Sequence, residues 1–319
     1  EAIAPPPPPH RSQGKAVAAS CGEAHTLVLT SDNRVWSFGK ARQGRLGREC
    51  PPHEGGTPGA VAVLGSQGAR VLGVAAGRAH SAAWDDAGRL FVWGAGRDGA
   101  LGLGSDKDAA APTVVSGGVL AGQARRVASA ACGRDHTLLL LDDGSVAAMG
   151  ADDSGQCGTG QSARRHREPV WVRGLSGSGG ARAVGVLAGD QHSVAVLEDG
   201  GVMAWGGNSS GQLATGDRAD VGLPRRIDPA LLGGLKVVDG AAGGSHTLLL
   251  TEDGSVWAVG RGRNGQLGRG DELESIAAFR LAPVRVASLG AEALGPGRSA
   301  ARLAAGADHS MALVTDTRA

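Results

Sequence analysis

Gly133-Arg-Asp-His136-Thr137-Leu-Leu-Leu-Leu141 carries a phrase that occurs six times along the chain. The other copies begin Gly22-Glu-Ala-His25-Thr26, Gly77-Arg-Ala-His80-Ser81, Gly189-Asp-Gln-His192-Ser193, Gly243-Gly-Ser-His246-Thr247 and Gly306-Ala-Asp-His309-Ser310. Successive histidines stand 55, 56, 56, 54 and 63 residues apart. A fixed period of this length denotes an array of like supersecondary units, none of which can bury its apolar face alone. Repetition also changes what a histidine signifies. His25, His80, His136, His192, His246 and His309 are expected as framework, hydrogen-bonding backbone across a unit or to its neighbour.

Each phrase runs into an apolar strand, as in His246-Thr-Leu-Leu-Leu250. In the first five units a turn follows: Ser31-Asp-Asn33, Asp85-Asp-Ala-Gly88, Asp142-Asp-Gly144, Glu198-Asp-Gly200 and Glu252-Asp-Gly254. Asp-Gly tolerates the positive φ angles of a two-residue hairpin, which is the turn predicted for three of them. A second strand then ends in glycine: Val35-Trp-Ser-Phe-Gly39, Phe91-Val-Trp-Gly94, Val146-Ala-Ala-Met-Gly150, Val202-Met-Ala-Trp-Gly206 and Val256-Trp-Ala-Val-Gly260. Next comes a closing phrase: Gly44-Arg-Leu-Gly47, Gly99-Ala-Leu-Gly102, Gly155-Gln-Cys-Gly158, Gly211-Gln-Leu-Ala214 and Gly265-Gln-Leu-Gly268. A further strand, such as Pro169-Val-Trp-Val172, leads to the next unit. About four short strands per ~55-residue unit describe a β-propeller blade.

The expected fold is therefore all-β, a propeller of about six four-stranded blades or an incomplete seven, over residues 18–319. Six histidine halves face only five closing halves, so the last repeat reads as truncated. Residues 1–17, with Pro5 to Pro9, read as a stiff extended tail. Leu289 to Ser299 reads as a loop insertion before the sixth unit. The chain starts at Glu1 rather than Met, which leaves a removed targeting peptide and a boundary of the sequenced piece equally open.

Composition agrees with such a fold. Among 319 residues there are 55 glycines, 6 Trp, 3 Phe and no Tyr, so Ala, Val and Leu must fill the core. A net charge of +1 supplies no global pull towards nucleic acid or membrane. No apolar run approaches the ~18 residues of a membrane-spanning helix. Cys21 and Cys132 stand where other units carry alanine, and Cys157 where they carry leucine. Three of the four cysteines thus read as packing residues of a reduced, intracellular chain without a disulfide framework.

The Gly-x-x-His-Ser/Thr phrase, the Val-Trp-x-x-Gly strand and the Gly-Gln-Leu-Gly close, in this order and period, resemble the regulator of chromosome condensation repeat family over roughly residues 18–315. The resemblance implies four strands per repeat and a propeller usually of seven blades, which would need roughly 385 residues at this period. It also implies guanine nucleotide exchange on a small GTPase as one activity. The family's founding exchange factor adds an inserted β-wedge, and no inserted hairpin stands in the first four intervals here. A photoreceptor branch of the family places Trp-Arg between the repeat glycine and histidine. Here those pairs are Glu23-Ala24, Arg78-Ala79, Arg134-Asp135, Asp190-Gln191, Gly244-Ser245 and Ala307-Asp308, so photoreception is not implied. Trp36, Trp93, Trp205 and Trp257 lie instead in second-half strands, where they are expected to fill the space between blades.

No catalytic constellation stands out. Cys21 with His25 and Cys132 with His136 mimic a metal-ligand spacing, but the pairs lie in different blades and zinc needs converging ligands, so no metal is expected. Even distribution of His and Asp around a ring argues against a triad, and neither a nucleophile elbow nor a phosphate loop is present. No cofactor is expected. Variation concentrates in the loop after each second-half strand. Lys40, Arg42, Arg97, Arg261 and Arg263 make it basic in three units, Asp152 and Asp153 make it acidic in the third, and Arg164, Arg165 and Arg167 add a basic tract. These cations are the candidate interaction rim, expected as a basic sector opposite an acidic one. The functional expectation is a non-catalytic protein-interaction scaffold in a large ribonucleoprotein such as an organellar ribosome. RNA contact is expected through the basic loops, with a mitochondrion or another organelle as its place. Regulation of a small GTPase is the alternative.

Overall fold

The computed structural model describes residues 14–51, 55–62, 70–122, 125–161, 163–177, 179–270 and 279–316. The expected proline tail lies outside these residues as far as residue 13. Among these residues, five four-stranded sheets and one two-stranded sheet follow one another, each a meander of antiparallel strands. The third sheet is typical, with strands Val127–Cys132, His136–Leu141, Val146–Ala151 and Arg165–Trp171. The first strand, Ala16–Cys21, begins two residues before the boundary expected at Ala18. The last sheet contains only Arg298–Ala305 and Ser310–Asp316, the two strands that flank a histidine phrase. The expected insertion forms a 3-10 turn at Ala287–Leu289 and a short helix at Ala291–Leu294.

Register explains the glycine that ends each third strand. His25, His80, His136, His192 and His246 pair with Gly39, Gly94, Gly150, Gly206 and Gly260. These glycines take φ between +98° and +116°, and a Cβ on Gly150 would lie 2.5 Å from the Asp135 carbonyl oxygen. No L side chain fits there.

The hairpin turns differ from the expected two-residue form. In the third blade the Gly144 N–H donates to the Leu141 carbonyl at 3.0 Å and the Leu141 N–H to the Ser145 carbonyl at 2.9 Å. The loop is therefore Asp142-Asp143-Gly144, and only Gly144 has positive φ (+80°). This is a type I turn closed by a left-handed residue, the three-residue solution to joining twisted strands. Gly88, Gly200 and Gly254 repeat it, and Asn33 takes the left-handed place in the first blade.

The apolar interior is divided into five layers, one between each pair of adjacent sheets. Leu90, Val92 and Leu101 of the second blade meet Leu139, Leu141 and Met149 of the third. Trp93 and Trp205 are fully buried, whereas Trp36 and Trp257, two residues earlier in their strands, remain partly exposed. Among the described residues the last sheet has no sheet beyond it. Met311 is 64% and Leu313 59% exposed, while their third-blade equivalents Leu138 and Leu140 are 0% and 6% exposed. Among the described residues the first sheet is uncovered on its opposite face, which leaves Cys21 exposed instead of packed like Ala76.

Candidate functional site

The repeated histidines are joints between blades. His25 Nε2 lies 2.8 Å from Ser81 Oγ, His80 Nε2 3.0 Å from Thr137 Oγ1, and His136 Nε2 3.1 Å from Ser193 Oγ. His192 and His246 reach Thr247 Oγ1 and Ser310 Oγ at 3.0 and 2.9 Å. Each hydroxyl in turn donates to a carbonyl in the closing phrase of the histidine's own blade: Ser81 to Arg45, Thr137 to Ala100, Ser193 to Gln156, Thr247 to Gln212 and Ser310 to Gln266, at 2.7–3.0 Å. A hydroxyl has one proton, so each must accept from the histidine Nε2–H, which fixes the neutral tautomer. The histidine partner is thus the neighbour's hydroxyl rather than backbone, with backbone reached at second hand. Trp93 and Trp205 Nε1 add to the same Arg45 and Gln156 carbonyls at 3.0 and 2.9 Å.

Burial depresses these imidazoles. His25, His80 and His246 are lowered to about 4 and His136 and His192 to about 3, mainly because the charged form would lose its water. Such groups are uncharged near neutral pH. His309 in the open sheet is exposed and meets no following hydroxyl among the described residues.

The two variable loops of each of the first five blades share one end of the molecule. The N–H groups of Lys40, Ala95, Ala151, Gly207 and Arg261 donate to the carbonyls of Ala24, Ala79, Asp135, Gln191 and Ser245 at 2.7–2.9 Å. The loops with the candidate cations therefore spring from beside the turns between repeat glycine and histidine. Those turns are linked blade to blade as well: the N–H of Arg78 donates to Gly133 O at 3.3 Å and that of Asp190 to Gly244 O at 3.2 Å. Their side chains bring charge together. Arg78 Nη2 lies 3.0 Å from Asp135 Oδ1, Arg134 Nε 3.7 Å from Asp135 Oδ2, and Arg261 Nη1 3.7 Å from Asp308 Oδ1. Asp190 is raised by burial, a shift that Arg134 opposes and that Glu23, Asp135 and Asp308 reinforce. Charges from the first, third and last units thus act on one carboxylate of the fourth. This mixed-charge ring escaped the sequence reading, although its signal is present: a variable pair inside an otherwise constant phrase.

The candidate rim cations fall into three groups. Arg97, Arg165 and Arg167 are gathered with Asp98 and Asp106 across the second and third blades. Arg167 holds Asp106 with two bonds at 3.0 and 2.7 Å, Arg165 approaches Asp106 and Asp98 at 3.4 and 3.7 Å, and Arg97 Nε lies 3.0 Å from Asp98 Oδ2. The Arg167 hydrogen bonds hold Asp106 below the ordinary carboxylate value, against some desolvation. Arg261 faces Asp308, and the Arg263 guanidinium lies 5.9 Å from the Phe279 ring, which Arg218 also covers at 4.5 Å. Lys40, Arg42 and Arg164 are exposed, and no ion pair engages them among the described residues. The structure interleaves acids with bases where separate basic and acidic sectors were expected.

Cys21 and Cys132, the superficial metal candidates, join no ligating cluster among the described residues. The group that converges is another: Asp152, read as a rim acid, with Cys157, read as packing, and His166. No helix among the described residues is long and apolar enough to cross a membrane.

An array of propeller blades joined by histidine and hydroxyl, with variable loops at one end, defines a class of repeat protein. A family model described as the RCC1-like domain matches residues 4–319, and the chain belongs to that family. The human E3 ubiquitin-protein ligase HERC2 is 37% identical over 304 residues, 94% of this chain but 6% of the ligase. The mitochondrial RCC1 domain-containing protein RUG3 of Arabidopsis thaliana is 28% identical over 304 residues, 92% of this chain and 64% of that protein. Human WBSCR16 superposes with a TM-score of 0.82 at 27% identity, covering 97% of this chain and 74% of that one. The chain thus spans a small part of HERC2, and the ligase activity in that name belongs to HERC2.

Proposed function

We propose that the chain is a non-catalytic platform that holds a protein partner on its loop-bearing face within a larger organellar assembly, a mitochondrial ribonucleoprotein such as the ribosome. The observation that carries this reading is the placement of the exposed cations Lys40, Arg42 and Arg164, without an ion pair among the described residues, on the same face as the charged ring of Glu23, Arg78, Arg134, Asp135, Asp190 and Asp308. Rigid joints below and variable charge above suit recognition by complementarity rather than chemistry. The similarity to mitochondrial RUG3 supports the organellar setting.

The test is cross-linking and affinity capture from mitochondrial extract with the full chain and a Lys40→Glu/Arg42→Glu/Arg164→Glu variant. The expected result is a defined set of ribonucleoprotein subunits, depleted about tenfold or more in the variant and increasingly lost as salt rises. Unchanged capture by the variant overturns this face as the site. Accelerated nucleotide release from a small GTPase, lost in the same variant, would replace the platform by an exchange regulator.

A further inference from the structure

We propose that Asp152, Cys157 and His166 form a binding site for a divalent transition-metal ion of the zinc type, coordinated by one carboxylate oxygen, one thiolate and one imidazole nitrogen. The three ligating atoms lie within 4.8 Å of one another, with His166 Nε2 3.0 Å from Asp152 Oδ2. Tetrahedral zinc, with bonds of about 2.0–2.3 Å, spaces its ligands roughly 3.3–3.7 Å apart. The trio therefore needs an adjustment of about 1 Å or less to close on an ion.

The comparison between blades isolates the site. The register places His166 opposite Gly150, where the second, fourth and fifth blades have Ala109, Val221 and Arg280 opposite their glycines. Two residues after that glycine stands Asp152, matched by Gly96, Asn208 and Gly262. Cys157 is matched by Leu101, Leu213 and Leu267. Three positions depart from the pattern in one blade, and the three side chains meet.

Local structure accounts for part of this. Asp152 Oδ1 accepts from the Cys157 N–H at 2.8 Å, as Asn208 Oδ1 accepts from the Leu213 N–H at 3.0 Å. That loop-closing bond needs only a neutral amide, as Asn208 demonstrates. Asp152 performs it with a carboxylate that is 5% exposed, leaving Oδ2 to His166 and to the Thr159 hydroxyl at 3.4 Å. A thiol is equally surplus to packing, since leucine fills its place elsewhere. The Cys157 thiol directs its proton at the Ala151 carbonyl 3.4 Å away.

Binding exchanges that proton for the ion: the S–H bond breaks, a metal–sulfur bond forms, and H⁺ leaves to solvent. A dication with one carboxylate, one thiolate and a neutral imidazole is uncharged overall, which lessens the cost of burying Asp152. Thiolate and imidazole favour zinc or cobalt over magnesium or calcium. The ion would tie the loop after the third strand to the start of the fourth, beside Arg164, Arg165 and Arg167.

The experiment uses reduced full-length chain with Cys21→Ser and Cys50→Ser, titrated with Co²⁺ and then Zn²⁺. The expected result is a thiolate-to-cobalt charge-transfer band with tetrahedral visible bands, saturating at one equivalent and abolished by zinc. Cys157→Leu, the residue of the other blades, removes the band. Asp152→Asn keeps the loop-closing bond yet weakens cobalt binding about tenfold or more, and His166→Val does likewise. Circular dichroism verifies folding, and Asp152→Asn decides the matter should Cys157→Leu misfold. No charge-transfer band in the folded parent, or a band unchanged in Cys157→Leu or Asp152→Asn, overturns the site.

Discussion

A repeat histidine matters here for the hydroxyl it meets in the next blade. His136 is fully buried and bonded to Ser193, whereas His309 carries the same phrase on an exposed edge. His136→Ala leaves a cavity and an unfilled acceptor and is expected to cost about 2–4 kcal/mol. His309→Ala is expected to stay within about 0.5 kcal/mol. Urea denaturation of the two variants checks the contrast; equal losses would contradict the joint. That these histidines recur as one set was legible in the sequence. The partner was not, since Ser193 serves the unit before its own and no pattern within one unit reveals that.

The same imidazoles set the response to acid. Their folded values of about 3 to 4 lie below the ordinary 6.5, so the unfolded chain binds more protons between those limits. Their contribution to stability is complete above about pH 6.5 and is lost as pH falls towards the folded values. Each histidine adds a slope of up to about 1.4 kcal/mol per pH unit. The urea midpoint is expected to fall steadily from about pH 7 to about pH 5, and less steeply in His192→Gln. A midpoint that holds or rises on acidification would count against buried neutral histidines.

At the scale of the element, the glycine of each phrase is a packing requirement. A Cβ on Gly189 would lie 2.1 Å from His192 Cε1 and 2.5 Å from the Gly243 carbonyl of the next blade. Gly222, on a fourth strand, has nothing within 4 Å of such a Cβ. Gly189→Ala is expected to lower stability by about 3 kcal/mol or more and Gly222→Ala by less than about 0.5 kcal/mol, as thermal melts will read. Strands were legible because glycines and apolar runs bracket them at a constant spacing. The turn type was not, because Asp-Gly serves both two-residue and three-residue hairpins. Nor were the pairs of Arg165 and Arg167 with Asp98 and Asp106, which join different units through loops of irregular length. The metal-ligating trio stayed hidden for a related reason: Cys157 and Asp152 each read plausibly alone, and only the register of the fourth strand brings His166 to them.

For the whole molecule, five interior layers in series replace a single core. Stability is then close to a sum of sheet and nearest-neighbour terms. The middle sheets have neighbours on both sides, and the last lacks one among the described residues. Backbone amides of Ser310–Asp316 are therefore expected to exchange with deuterium well before those of His136–Leu141. Simultaneous exchange would indicate one cooperative unit instead of a chain of layers.

The head-to-tail sense of the joints has a further consequence. Every sheet but the last offers an imidazole donor forward, and every sheet but the first offers a hydroxyl backward to a preceding sheet, at nearly constant separation. Such a coupling is indifferent to which two sheets it connects. Excising residues 133–188 would set Ser193 before His80 in place of Thr137, hydroxyl for hydroxyl. The number of blades is thereby freed from the chemistry that holds them, and an in-frame loss or gain of one period alters the molecule's reach without demanding a new kind of contact.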